Sequence, residues 1–194
     1  MAVNYGVCPH FAPIFAPVIA AGAYRLRAME PEDVTLLYDW ENRSEEWWCG
    51  AQLAPLSRAA LLRFVHAEQD VWQAGAVRLM LQHGDETVAA LDLYDLNIRH
   101  RRAGVGAVVA ADQRQRGHGT VGLRLLAAYA FQHLELHQLY AEIPAGHAES
   151  AALFEAAGYA PCATLPEWIR VGGQWRDVLL VRLACENEIR NGID

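Results

Sequence analysis

The stretch Val108-Val-Ala-Ala-Asp-Gln-Arg-Gln-Arg-Gly-His-Gly-Thr120 constrains this chain more than any other. An apolar run stops at two alanines, crosses a polar loop holding Arg114 and Arg116, and reaches Gly117-His118-Gly119 just before a helical pattern. A Walker-type phosphate loop would need a Gly-Lys-Ser/Thr ending, and all sixteen basic residues here are arginine. A dinucleotide fingerprint would need a third glycine, which is missing. A plain turn is one remaining reading. The other is an anion cradle, in which backbone N–H groups at a positive helix end hold a pyrophosphate without lysine.

Around this unit the pattern reads β-α-α-β-β-β-α-β-α-β-β. Residues 24–29 alternate as a first strand, and Pro31 opens a helix carrying Val34, Leu37 and Tyr38 on one face. Ser57 can cap a second helix with Leu61, Leu62 and Val65. Residues 77–96 form a hairpin about Gly84-Asp85, followed by a strand over 103–110 with glycines at 104 and 106. A helix over 117–134, a strand at Gln138–Ile143, and a helix closed by Gly158 come next. The last hairpin turns at Gly172-Gly173. The order predicts one α+β domain on a mixed sheet over residues 24–184, with an N-terminal arm (1–23) and a short tail (185–194).

The formal charge of −7 argues against a nonspecific nucleic-acid binder. Cys8, Cys49, Cys162 and Cys185 are scattered without metal-ligand spacing, which predicts reduced thiols, no metal, and a cytoplasmic protein. The apolar segment 11–23 holds two prolines and is too short to span a bilayer, so no membrane association is expected.

The Arg114-x-x-Gly117-x-Gly119 loop resembles the [Q/R]-x-x-G-x-[G/A] pyrophosphate motif of the GNAT superfamily of N-acetyltransferases. The resemblance continues through 26–42, through the turn Leu93–Gly106, and through residues 147–159, which are similar to the family's later helix. With the closing hairpin, which is similar to that of the branch of spermidine and ribosomal-protein N-terminal acetyltransferases, it covers residues 24 to 183, and residues 100–103 and 137–143 lean it to the spermidine side. It implies a sheet whose fourth and fifth strands splay apart around acetyl-CoA. By position, Val108, Val109 and Ala110 would line the pantetheine arm, with the backbone of Val108 and Ala110 pairing to it. Amides of Arg114, Gln115, Arg116, Gly117, His118, Gly119 and Thr120 would hold the pyrophosphate. His147, Ser150 and Phe154 would lie near the cofactor.

Two positions depart from the family pattern. The tyrosine that often protonates the departing thiolate is Phe154 here, and the glutamate that often follows the strand turn is Gly104. Tyr94 and Asp95 are the candidate catalytic replacements, although strand alternation places them on opposite faces. Glu45, Glu46 and Trp47, with Asp92, are candidate acceptor contacts, since acid beside aromatic suits an alkylammonium. His118 reads as an exposed loop residue, His100-Arg101-Arg102 as a charged turn, and Trp168 and Trp175 as packing or subunit contacts. The expectation is an acetyl-CoA-dependent N-acetyltransferase acting on a small cationic amine such as a polyamine, most simply as a homodimer. A protein N-terminal acetyltransferase and a non-catalytic acyl-CoA sensor are the alternatives.

Overall fold

The computed structural model describes residues 19–43, 54–67 and 71–185. Eight strands form one sheet: β1 (Ala20–Ala21), β2 (Tyr24–Ala28), β3 (Val77–His83), β4 (Glu86–Asn97), β5 (Arg102–Val109), β6 (Gln138–Pro144), β7 (Ala160–Val171) and β8 (Gln174–Ala184). The helices are α1 (Val34–Glu41), α2 (Arg58–His66), α3 (Val71–Ala74), α4 (His118–Gln132) and α5 (Ala148–Ala156). Strand order is β1-β2-β3-β4-β5-β6-β8-β7, and every neighbouring pair is antiparallel except β5 with β6. The mixed α+β sheet expected from the sequence is present. The two-residue β1 shifts the count by one, so the expected fourth and fifth strands are β5 and β6.

Both faces of the sheet are covered, which explains why residues 88–91 are all buried and read as a continuous apolar run. Leu81, Leu91, Leu93, Val105, Leu139 and Ile143 pack beneath α4 and α5, against Leu123, Leu126, Phe131 and Phe154. On the opposite face Met80 and Ala90 meet Val34, Leu37, Trp40, Leu61 and Val65 of α1 and α2. Each fully buried leucine contributes about 1.5–3 kcal/mol relative to an exposed one.

Local chemistry sets the element ends. Ahead of α1, Pro31–Asp33 form a 3-10 turn. Asp33 accepts the Glu30 N–H at 2.9 Å and both Arg27 nitrogens at 2.6 and 2.7 Å. Burial alone would raise the Asp33 pKa, but these bonds outweigh it and hold the carboxyl below its usual value. Ser57 caps α2 by accepting the Ala60 N–H at 3.1 Å. Cys162 and Cys185 are free thiols. Among the described residues no helix is long and apolar enough to cross a membrane.

Candidate functional site

The site grows from an incomplete ladder. Strands β5 and β6 pair in parallel only at Arg102↔Gln138, Ala103↔Leu139 and Gly104↔Tyr140. Beyond this vertex they separate, and Val105–Val109 pair with β4 alone. Five residues at about 3.3 Å each leave roughly 16 Å of unpaired strand edge. Unpaired edge N–H and C=O groups are a template for another extended chain.

Backbone bonds decide which residues face that edge, and they correct the sequence expectation. The Ala110 N–H is donated to Val88 O at 3.0 Å, and its carbonyl accepts the Gln113 N–H at 2.9 Å. Both Ala110 groups are therefore occupied. Strand alternation turns the Val108 backbone the same way, toward β4. Val105, Ala107 and Val109 present their groups to the gap instead, and the Arg114 Nε–H already reaches Val109 O at 3.2 Å.

The loop at the open end has the geometry of an anion cradle. Gln115 and Gly117 both adopt positive φ, 59° and 83°, which folds the chain back before α4 begins at His118. The amides of Gly117, His118, Gly119 and Thr120 stand at the N-terminus of a 15-residue helix, where no intrahelical acceptor exists for them. A Cβ on Gly119 would lie 2.9 Å from Leu153 and 3.1 Å from Val109, so the glycine lets α4 seat directly on α5 and the end of β5. Arg116 is oriented by Gln113 at 3.1 Å, which in turn donates to Glu86 at 2.7 Å. Ser150 lies in the first turn of α5 and His147 at its N-cap, just past the end of β6.

His118 is not an exposed loop residue. It is 6% exposed, its Nδ1 lies 2.9 Å from the Tyr24 hydroxyl, and its ring packs 5.2 Å from His83. Burial, together with the charges of His83 and Arg116, lowers its pKa. Phe154 also departs from expectation as a ligand contact. It is buried in the core, edge-on to Tyr159 with ring centroids 5.0 Å apart. Asp92 is engaged as well: Arg78 grips it at 2.6 and 2.8 Å and also contacts Glu41. Burial works against the Arg78 charge, but the two carboxylates outweigh it and raise its pKa. Asp92 is thus committed to an ion pair rather than open to an acceptor. Glu45, Glu46 and Trp47 lie outside the described residues.

At the vertex, Tyr94, Gly104 and Tyr140 occupy one row across β4, β5 and β6. The Tyr94 ring lies over Gly104, where a Cβ would come within 2.2 Å of it, and meets Tyr140 edge-on at 6.2 Å. Burial, reinforced by Tyr140, Glu142, Asp95 and Asp92, raises the Tyr94 pKa, so its hydroxyl keeps its proton at neutral pH. Asp95 does not obey alternation. The ladder steps from Tyr94↔Gly104 to Asn97↔Arg102, setting two β4 residues against one of β5, and Asp95 takes φ 49°. That bulge brings its carboxylate within 3.4 Å of the Tyr140 hydroxyl, onto the Tyr94 side. A cavity of about 350 Å³ opens here, lined by Asp95, Leu96, Asn97, Arg102 and Tyr140. Nearby, the half-exposed Trp168 donates its indole N–H to Glu142 at 3.3 Å. Nothing in the sequence alone singles out Tyr140 and Glu142. Their two-residue spacing on β6 is compatible with a shared face, but only the parallel register shows that they face Tyr94.

Comparison with known proteins places these features in context. The acetyltransferase (GNAT) domain family matches residues 24–160. The Escherichia coli (strain K12) spermidine N(1)-acetyltransferase is 20% identical over 162 residues, spanning 82% of this chain and 85% of that protein. A crystal structure of spermidine N-acetyltransferase from Vibrio cholerae with CoA and spermine superposes with a TM-score of 0.76 at 18% identity, covering 84% of this chain and 96% of that one. The ribosomal-protein-S5-alanine acetyltransferase of Vibrio fischeri gives 0.75 at 12% identity, covering 87% and 96%.

Proposed function

The chain belongs to the GNAT acetyltransferase family, and on that premise we propose that it moves an acetyl group from acetyl-CoA to the primary amine of a small cationic acceptor such as a polyamine. The observation that carries this reading is the β5–β6 ladder that stops after three pairs and opens toward the α4 N-terminus. Acetyl-CoA lies in that gap. The amides from Arg114 to Thr120 cradle its pyrophosphate, with Arg114 and Arg116 adding charge. The pantetheine extends along the Val105–Val109 edge, leading the thioester toward the vertex, with His147 and Ser150 beside the open end.

The acceptor nitrogen attacks the thioester carbonyl directly. The C–N bond forms, the C–S bond breaks, nitrogen loses a proton and CoA leaves as its thiol. Holding both reactants at the vertex supplies much of the acceleration. The choice of a cationic acceptor is supported by the Asp95 and Glu142 carboxylates beside Tyr140 and Trp168. It is also supported by the spermine-bound relative of the same fold. The likeness to a ribosomal-protein acetyltransferase keeps a protein N-terminus as the second reading. A sensor without turnover remains the contrary outcome.

The test is calorimetry with acetyl-CoA, together with thiol release against polyamines, small amines and N-terminal peptides. Binding and turnover on a polyamine are expected. Gly117→Glu places a carboxylate in open space among the cradle amides, and the left-handed backbone there costs a side chain about 1–2 kcal/mol. It should stay folded and bind acetyl-CoA at least tenfold more weakly. Unchanged affinity would remove the pyrophosphate from this loop, and binding without any turnover would favour the sensor.

A further inference from the structure

We infer that Tyr140 and Asp95 form the proton route for the acceptor amine, while Tyr94 donates to the thioester oxygen. This rests on the acetyl transfer proposed above and assigns residues to it.

Three observations converge on the vertex. An extended ligand lying on the open edge of β5 runs out of room where Gly104 pairs with Tyr140, so its reacting end stops there. On the face opposite α4 and α5, the side chains in that row are Tyr94 and Tyr140, because Gly104 has none. Finally, the chain holds a left-handed aspartate just before the last pair of the β4–β5 ladder, a backbone conformation that side chains rarely adopt. The result of that bulge is a carboxylate turned from its regular face to the Tyr140 hydroxyl, 3.4 Å away. The distance is longer than an ordinary O–H···O bond.

The roles follow from the chemistry. Burial, and after it the Asp95 charge, raises the Tyr140 pKa, so this hydroxyl is a relay rather than a phenolate base. As the neutral amine attacks, its proton passes to Tyr140 Oη while the Tyr140 proton moves to an Asp95 carboxylate oxygen. Tyr94, also held protonated, stabilises the carbonyl oxygen as charge develops on it. When the C–S bond breaks, sulfur keeps the electron pair and takes a proton from water at the open cavity. Asp95 returns its proton to solvent, so the products are the amide and CoA thiol with no net change in protons. Arg102, Asp92 and Glu142 surround the route and set its field.

The experiment compares the wild-type chain with Tyr140→Phe, Asp95→Asn and the double variant, measuring acetyl-CoA binding by calorimetry and steady-state turnover across pH. Phenylalanine keeps the ring, and asparagine tolerates left-handed backbone. Each single variant should lose about 10²–10⁴-fold in kcat with acetyl-CoA affinity unchanged. The double variant should be no slower than the worse single one, because the two act as one unit. The deficit should shrink as pH rises and hydroxide takes over the proton, a recovery that mere loss of packing would not give. Wild-type turnover that survives both substitutions within about threefold overturns the assignment alone. A wild-type chain without turnover on any amine overturns the acetyl transfer and this route together.

Discussion

Replacing Gly104 by alanine isolates one contact on which the vertex depends. The new Cβ would lie 2.2, 2.5 and 2.7 Å from three atoms of the Tyr94 ring, too close for any side chain to stay in place. Gly104 does not adopt positive φ, so alanine is permitted by the backbone and gains about 0.4–1 kcal/mol by restricting the unfolded chain. Against that stand about 1–3 kcal/mol for overpacking. Displacing Tyr94 from Tyr140 costs about 0.5–1.5 kcal/mol more. The balance is a loss of about 2 kcal/mol, a fall in Tm of roughly 4–8 °C for a chain of this size. Thermal unfolding of Gly104→Ala, Tyr94→Ala and the double variant measures it. The double variant should recover most of the alanine penalty, because the clash no longer has a partner. An unchanged Tm for Gly104→Ala, or strict additivity in the cycle, would show that the ring does not lie over the glycine. Gly104→Glu should be worse than alanine, so restoring the residue that often stands there does not restore a base.

Two further outcomes follow from buried charge. Arg78→Met leaves the Asp92 and Glu41 carboxylates facing each other without their shared cation, and should cost about 3 kcal/mol by denaturant unfolding; a loss under about 1 kcal/mol would mean the cluster is effectively solvated. The pKa values of Tyr94, Tyr140 and Tyr159 are all raised, chiefly by burial. The folded state then binds more protons than the unfolded one above the ordinary tyrosine value near 10, so stability should be fully present below that pH and fall as pH rises beyond it. A Tm flat through pH 11 would contradict the burial of these hydroxyls.

The loop and its helix were legible because their signal is local: glycines at fixed spacing, charge beside them, an apolar run before. What was not legible depends on partners far along the chain. His118 is buried because Tyr24, on a strand 94 positions earlier, reaches it. The resemblance puts the backbone of Val108 and Ala110 on the wrong edge, because a carry-over by position does not carry the register with β4 that decides which edge each residue faces. Strand alternation puts Asp95 on the wrong face because nothing in Leu93–Leu96 announces the bulge. At positions 154 and 104 the sequence shows only that a tyrosine and a glutamate are missing. The structure shows that Gly104 makes room for the Tyr94 ring.

The three-pair junction between β5 and β6 also has a mechanical meaning. One leaf of the sheet, β1 through β5, is joined to the other, β6 through β8, by backbone pairing at one end only, while α4 packs on β2, β4 and β5 of the first leaf and against α5. A sheet fastened this way is stiff against sliding and compliant in opening, like a book held at the foot of its spine. Any extended molecule that fills the upper seam becomes a stitch between the leaves.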